Sequence, residues 1–185
     1  MKRPLAILFD TETTGLTAHP KAEDKIQPRI IEFAGVLTDG IEILDRLEFK
    51  CDPGIPLEAI ITKITGLTDD DLADCAELGE YLHDLKRFFG QADFSLAHNH
   101  SFDRDMLRYD LKRFGFTLAD IDFPSHNICT VEQTFHGFGQ GMKMNVLYEM
   151  YVGPYVQKHR AMDDVEMLHA LCQAIGMYRA LGVTA

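Results

Sequence analysis

Apolar and polar positions divide the first third of the chain into three predicted strands. The run from Leu5 to Phe9 is apolar at every position, which is typical of a central strand that is buried on both faces. Residues 29–37 form a second, largely apolar run. Residues 41–50 instead place apolar side chains mainly at odd positions and polar side chains mainly at even ones. This alternation predicts a strand with one face in water, entered through a turn at residues 38–40.

The remainder of the chain mixes helical spacing with short apolar runs. Apolar residues between Leu78 and Phe89 recur at helical intervals, and Gly90 is placed to end that helix. The further predicted elements are a strand at 92–97, a helix opening near Asn99 or Ser101, a strand at 127–130, a helix at 145–151 and a last helix from Asp164 to about Arg179. This order predicts an α/β fold. We expect loops at 17–28 and 135–143, and a single domain over residues 1–185, a length that buries a substantial core.

Two acids follow the first predicted strand at a spacing of two. Side chains of a strand alternate, so Asp10 and Glu12 point to the same side. Carboxylates that are close together repel each other, and burial increases the cost. Hard divalent cations such as Mg²⁺ or Mn²⁺ suit sites built of oxygen. We therefore expect a metal site here, with Gly15 freeing the backbone beside it. The alternative is a strand end whose acids face water.

A third acid lies where the predicted helix near residue 100 opens. Asp103 shares the stripe of that helix that should face the core, together with Leu107, Leu111 and Phe114. A first-turn acid is favoured by the positive end of the helix dipole. Capping of the helix is therefore one explanation for Asp103, and the need for a cationic partner on the core side is the other.

A fourth acid and a histidine lie at the head of the last predicted helix. Asp164 begins an apolar stripe that includes Leu168 and Leu171, whereas Asp163 should face solvent. His159 precedes the helix by a few residues. A histidine near its ordinary pKa accepts a proton at neutral pH. The alternative for His159 is an ordinary surface-loop histidine.

These segments, taken in order, resemble the DEDDh 3′–5′ exonucleases of the proofreading type. Phe9–Leu16, Ala97–Asp103 and His159–Asp164 look like the three motifs of that family, and Ile64–Thr68 is similar to a substrate-side loop. The likeness runs over residues 5–171, nearly the whole chain. It implies a ribonuclease-H-like fold with a mixed five-stranded sheet flanked by helices.

The resemblance also implies a site and a reaction. The expected catalytic residues are Asp10, Glu12, Asp103, His159 and Asp164. The four acids would hold two divalent ions, Mg²⁺ with Mn²⁺ as a substitute, and Asp10 would bridge them. His159 would be the general base, with Arg160 only a backbone hinge beside it. The implied reaction is phosphodiester hydrolysis from the 3′ end of single-stranded nucleic acid, which releases nucleoside 5′-monophosphates.

Seven further residues are expected to contact substrate. They are Thr13, Gly15, Leu16, Thr65, His98, Asn99 and Phe102. Leu16 and Phe102 would wedge or stack against the terminal bases, although core packing explains Phe102 equally well. DNA is the first expectation, in proofreading or repair, and RNA or short oligonucleotides are the second.

Composition narrows the partners and the setting. A net charge of −11 argues against a broad basic nucleic-acid surface, so we expect weak binding of a few terminal nucleotides unless a polymerase or replication partner helps. No run suits a membrane span, and four widely spaced cysteines favour a reduced, cytoplasmic setting. The chain ends soon after the last predicted helix, from which we expect a free-standing enzyme or one that docks by its surface. Oligomeric state stays open.

Two other function classes stay open. The first is a phosphatase with Asp10 as an aspartyl nucleophile, but this leaves Asp103 and His159 unexplained. The second is a non-catalytic, polymerase-associated subunit that binds nucleic acid. The presence of all five reactive residues makes an inactive subunit unexpected.

Overall fold

The computed structural model describes residues 3–16, 26–155 and 158–183, with His136 described by its backbone alone. Most of the loop predicted at 17–28 therefore lies outside the described residues. The strands are β1 (Ala6–Thr13), β2 (Ile30–Thr38), β3 (Ile43–Lys50), β4 (Phe94–Ala97) and β5 (His126–Cys129).

The five strands form one mixed sheet, in the order β3-β2-β1-β4-β5. The central strand β1 runs antiparallel to β2 and parallel to β4. β4 in turn runs parallel to β5. The predicted α/β class with a mixed five-stranded sheet is confirmed. The predicted one-sided exposure of β3 is also confirmed, because its burial alternates along the strand.

Helices cover both faces of this sheet. They are α1 (Ala59–Thr65), α2 (Asp69–Leu72), α3 (Leu82–Phe89), α4 (His100–Arg113), α5 (Thr130–Phe138), α6 (Met144–Tyr151), α7 (Ala161–Ala174) and α8 (Met177–Ala180). Ile7 and Phe9 of β1 belong to the core shared with α3 and α4. Ala6 and Leu8 belong to the core shared with α6 and α7. The alternation of β1 thus decides which helix each of its side chains meets.

The last helix is shorter than the apolar stripe predicts. α7 ends at Ala174, and α8 begins only at Met177. Gly176 between them has a φ of 70°, a left-handed conformation that glycine adopts readily and that ends a helix. The prediction of one continuous helix to about Arg179 was wrong for this reason.

Other predicted boundaries also need correction. Residues 135–138, predicted as loop, form the last turn of α5. α1 and α2 were not predicted, because segments of seven and four residues are too short to display a helical period. Phe114 was placed on the core stripe of α4, but it follows the end of the helix and is 36% exposed.

Candidate active site

Asp10 and Glu12 lie inside the central strand rather than beyond its end. β1 continues to Thr13, and both acids are half-buried. They share the parity of Ala6 and Leu8, so they face the side of the sheet that α7 covers. The strand alternation therefore brings the first two acids of the sequence to the helix that carries the last one.

The head of α7 supplies the next two groups. Asp164 is in the first turn of α7 and is only 4% exposed. Ligand atoms of Glu12, His159 and Asp164 all lie within 4.8 Å of one another. His159 precedes the helix in a left-handed conformation, with a φ of 53°, and its side chain is exposed. The structure thus joins three of the five predicted catalytic residues directly.

Asp103 belongs to α4, which packs against the other face of the sheet. It is in the first turn of α4 and only 2% exposed. The Thr11 amide and hydroxyl both donate to its Oδ1 atom, at 3.0 and 2.8 Å. These bonds tie the head of α4 to the residue that lies between Asp10 and Glu12. Asn99 occupies the cap position of α4, but its side chain forms no capping bond.

The acids raise one another's pKa values. Burial, with the neighbouring charges of Asp103, Glu12 and Asp164, raises the pKa of Asp10 well above its usual range. Burial and the charge of Asp164 raise the pKa of Glu12 to about 8. Burial raises the pKa of Asp103 to about 7, against the lowering effect of the Thr11 bonds. Without a cation, these groups favour protonation at neutral pH.

This set of donors fits divalent cations. Its oxygen atoms come from carboxylates, the ligands that Mg²⁺ and Mn²⁺ prefer. Like charges that are buried together are a cost to the fold, and a bound cation relieves this cost. The site therefore fits the family's expected metals by its chemistry and by its electrostatics.

The acids open into a cleft of about 430 Å³. Its lining residues are Asp10, His98, Lys143, Met144, Asn145, His159 and Asp164. Lys143 supplies a cation at the first position before α6, and Asn145 lies in the first turn of that helix. Sequence analysis did not single out either residue, because an isolated Lys or Asn at a helix start is ordinary.

The exonuclease family model of the ribonuclease T type matches residues 7–172. The chain belongs to this exonuclease family. The match spans all the acids described above as well as His159. The expectation of a DEDDh 3′–5′ exonuclease is confirmed at the level of the family, and the aspartyl phosphatase alternative is excluded by it.

Curated relatives of this exonuclease domain are much longer proteins. DNA polymerase III PolC-type of Bacillus subtilis strain 168 is 31% identical over 160 residues, which cover 86% of this chain and 10% of the relative. The PolC-type polymerase of Staphylococcus haemolyticus is 32% identical over 189 residues, covering 100% of this chain and 12% of the relative. The chain thus spans about a tenth of the length of these relatives.

Solved structures share the fold of the exonuclease domain. The zinc-bound complex of E. coli exonuclease I with single-stranded DNA superposes with a TM-score of 0.78 at 15% identity, over 97% of this chain and 42% of the other. The nuclease domain of 3′hExo, described as a DEDDh family member bound to rAMP, gives 0.77 at 16% identity, over 99% and 96%. Exonuclease X, bound to 5′-overhanging duplex DNA, gives a TM-score of 0.65 at 23% identity, over 95% of this chain and 93% of the other.

No helix in the described parts of the chain is long and apolar enough to cross a membrane.

Three of the predicted substrate residues lie beside a second groove of the exonuclease domain. Gly15 and Leu16 line this groove of about 670 Å³, and Leu16 is 84% exposed. Thr13 is buried and donates to the Gly15 carbonyl at 2.7 Å. Among the residues that the structure describes, a Cβ atom on Gly15 would meet nothing within 4 Å, so their packing does not require a glycine there.

The other four predicted substrate residues occupy different surroundings. His98 lines the acidic cleft, but its Nδ1 atom pairs with the Thr130 hydroxyl at 2.8 Å. Phe102 of α4 is half-buried and packs against the hydrophobic core. Asn99 is exposed. Thr65 is buried, and its hydroxyl donates to the Ile61 carbonyl at 3.0 Å. It lines neither the cleft nor the groove, so the structure does not bring Thr65 to the other predicted contacts.

Sequence analysis missed a fifth carboxylate next to the acids of the exonuclease site. Glu32 of β2 lies directly opposite Glu12 in the sheet and is 1% exposed. The Arg160 side chain binds this carboxylate through two of its nitrogens. Arg160 is therefore more than the backbone hinge that the sequence suggested. A lone Glu within the apolar run of residues 29–37 was the signal available in the sequence.

Proposed function

We propose that this exonuclease domain hydrolyses phosphodiester bonds from the 3′ end of single-stranded nucleic acid and releases nucleoside 5′-monophosphates. The observation that carries the proposal is the convergence of the predicted acids on His159. Asp10, His159 and Asp164 line one cleft, and ligand atoms of Glu12, His159 and Asp164 lie within 4.8 Å of one another. Asp103 joins them through its bonds to Thr11. Four acids and one histidine from three separate segments meet at the central strand. Such a set fits hydrolysis of a phosphodiester better than simple binding.

We assign two divalent ions, Mg²⁺ first and Mn²⁺ as a substitute, to Asp10, Glu12, Asp103 and Asp164. Bound there, the ions would supply activation of water and compensation of the charge that develops on the phosphate. The raised pKa values of Asp10, Glu12 and Asp103 support the assignment, since they describe a site with a surplus of negative charge. Thr11 keeps Asp103 turned toward this surplus through two hydrogen bonds.

His159 takes the role of general base in this proposal. Its ring is exposed on the cleft wall and close to Glu12 and Asp164. An exposed imidazole exchanges its proton readily with solvent after each turnover. Lys143 is a cation on the wall of the same cleft. An ammonium there suits a substrate phosphate, and it offsets part of the chain's net charge of −11.

The groove beside Gly15 and Leu16 suits the bases of the strand end. Its lining is largely aliphatic and includes Ile26, Ile60 and Ile64, all of them exposed. Apolar side chains hold bases without regard to sequence. Among the described residues, the Gly15 and Leu16 amides have no hydrogen-bond partner. They are suited to hold the terminal 3′ hydroxyl or the last phosphate.

DNA is the favoured substrate, and proofreading or repair the favoured setting. The support comes from the PolC-type relatives, which are DNA polymerases by name, and from exonuclease I with its bound single-stranded DNA. RNA or short oligonucleotides remain the second candidate, since 3′hExo was solved with rAMP. A polymerase partner, a single domain over residues 1–185 and a cytoplasmic location stay predictions.

A direct assay tests the proposed reaction. DNA and RNA strands of equal sequence, labelled at the 5′ end, are incubated with Mg²⁺, Mn²⁺ or EDTA. The wild type should give a metal-dependent ladder that shortens from the 3′ end, and Asp10→Ala should give none. Asp163→Ala is the matched control. Asp163 directly precedes Asp164 on α7, but it pairs with Lys158 at the surface. It should retain the wild-type ladder.

The outcomes separate the remaining candidates. Faster shortening of the DNA strand supports a proofreading or repair enzyme, whereas faster shortening of RNA supports the second candidate. Binding of both strands by a folded wild type without any shortening would contradict catalysis. That result would favour the non-catalytic nucleic-acid-binding subunit.

A further inference from the structure

Glu32 is a buried acid that the proposed reaction does not use. It lies on β2 opposite Glu12 and is 1% exposed. Its charge adds to those that raise the pKa values of Asp10 and Glu12. A fifth carboxylate so close to the metal ligands is costly unless it is neutralised and hydrogen-bonded.

Arg160 supplies this neutralisation. Its Nε atom lies 3.0 Å from each carboxylate oxygen of Glu32, and its terminal NH₂ nitrogen binds Oε1 as well. A guanidinium holds a carboxylate in a fixed plane through such paired bonds, which an ammonium does not reproduce. The orientation of Arg160 is therefore set by β2, not by the helix that follows it.

Glu32 also binds the backbone of α7. The amide of Ala161, the first residue of the helix, donates to Glu32 Oε2 at 3.0 Å. This amide is one of the donors that a helix start leaves without an intrahelical partner. The Asp164 amide in turn donates to the Arg160 carbonyl at 3.0 Å. Glu32 thus fixes the point on the sheet from which the first turn of α7, with Asp164, begins.

We propose that Glu32 and Arg160 form a positioning pair that holds His159 and Asp164 against Glu12. His159 directly precedes Arg160 and has a left-handed backbone, which needs support from its surroundings. Arg160 supplies this support on one side, and the Ala161 cap supplies it for the helix. The same pair gives the fifth carboxylate a cationic partner of its own. The catalytic consequence of the pair rests on the proposed exonuclease function.

Variants at Arg160 test the proposal. Arg160→Met removes the guanidinium and leaves Glu32 buried without its cation, whereas Arg160→Lys keeps the charge without the paired bonds. Arg46→Met is the matched control. Arg46 of β3 forms an ion pair with Glu166 of α7, and both side chains are about half exposed. Each variant is compared with the wild type by melting temperature, by calorimetric Mn²⁺ affinity and by kcat and KM on labelled single-stranded DNA.

A positioning role predicts a specific pattern. Arg160→Met should lower kcat by about 10²-fold, the cost of misplacing reacting groups by about 1 Å, while KM changes by less than about threefold. Mn²⁺ affinity should fall by about tenfold, as for other groups that orient metal ligands. Arg160→Lys should recover part of both losses, and Arg46→Met should match the wild type.

Other results would overturn the proposal. An Arg160→Met protein with a lower melting temperature but wild-type Mn²⁺ affinity and kcat would make the pair merely structural. An equal loss in Arg46→Met would show that any ion pair of α7 matters. If Arg160→Met does not fold, Glu32→Gln/Arg160→Met removes the unpaired buried charge, and the same kcat loss is expected from it. If the wild type degrades neither strand, the proposed function fails, and the Mn²⁺ affinities alone decide the role of the pair.

Discussion

Two aspartates of α4 are buried to the same degree and yet have opposite surroundings. Asp103 is 2% exposed and Asp110, two turns later, is 3% exposed. Each accepts a backbone amide from the sheet: Asp103 from Thr11 of β1 at 3.0 Å, and Asp110 from Ile30 of β2 at 2.6 Å. Both acids therefore connect the same helix to neighbouring strands through hydrogen bonds.

The difference lies in the charges around them. Asp110 is paired with the Arg113 guanidinium on its own helix. Arg113 also donates to the carbonyls of Gln27 and Pro28, where the chain enters β2. Asp103 instead lies near the carboxylates of Asp10 and Glu12, and its Oδ1 atom accepts from the neutral Thr11. Burial of an acid is common to both, so the sign of the neighbouring charges is what distinguishes the proposed metal ligand, Asp103, from Asp110.

Neutralisation of Asp103 should have the largest effect on activity. Asp103→Asn keeps the shape of the side chain but removes a proposed metal ligand, and it lowers the repulsion among the acids. We expect exonuclease activity to fall by at least ~10³-fold, the scale seen when one catalytic group is deleted, with no loss of melting temperature in EDTA. Asp105→Asn is the control on the same helix, since Asp105 pairs with Arg104 and Arg108 nearer the surface. Full activity of Asp103→Asn would remove it from the site.

The reverse result is expected at Asp110. Asp110→Asn removes the carboxylate that pairs with the partly buried Arg113, and deletion of one partner of a buried pair costs about 3–5 kcal/mol. Urea denaturation should show a loss near the lower end of that range, because the Gln27 and Pro28 carbonyls still accept from Arg113. The kcat of the protein that remains folded should change little. A large loss of kcat without a loss of stability would contradict the division between the two acids.

The strands and the faces on which the acids lie were predictable because both depend on local periodicity, whereas the mixed five-stranded sheet was implied by the family resemblance. A period of two placed Asp10 and Glu12 on one face, and helical spacing placed Asp103 and Asp164 on core-facing stripes. Elements shorter than two turns, such as α1 and α2, gave no period to detect. The break at Gly176 depends on one left-handed residue inside an otherwise continuous stripe.

The partners of the acids were not predictable in the same way. Glu32 meets Arg160 across 128 residues of sequence, and Asp103 meets Thr11 across 92. Neither pairing follows from a pattern, since both depend on how α4 and α7 settle on the sheet. Thr65 was predicted to contact substrate because it lies in the segment Ile64–Thr68. In the structure its hydroxyl donates to the Ile61 carbonyl of its own helix instead.

The smallest expected effect is the dependence of the melting temperature on pH in the absence of divalent ions. The folded pKa values of Glu12 and Asp103 are raised to about 8 and about 7, from ordinary values of 4.5 and 3.8. Between pH 5 and 8 these two carboxyls therefore hold more protons in the folded protein than in the unfolded chain. Burial lowers the pKa values of His98, His100 and His169, so these rings hold fewer protons in the folded protein and act in the opposite sense below about pH 7. Between pH 7 and 8 the carboxyls dominate, and the free energy of unfolding falls as pH rises. We expect the melting temperature in EDTA to drop there by a few °C, on the order of what a small free-energy change gives in a domain of this size.

Glu12→Gln separates this effect from titration elsewhere, because it removes one of the groups that retain a proton. The acids with lowered pKa values, among them Asp39, Asp71 and Asp120, complete their titration below this window and add no slope to it. The variant should therefore melt with a shallower dependence on pH than the wild type does. Mn²⁺ should raise the wild-type melting temperature more at pH 8 than at pH 5, because protons and the cation compete for the same carboxylates. A Glu12→Gln variant that melts with the same dependence on pH as the wild type would mean that the acids around Asp10 are not crowded as the structure has them, and the contrast with Asp110 would be lost.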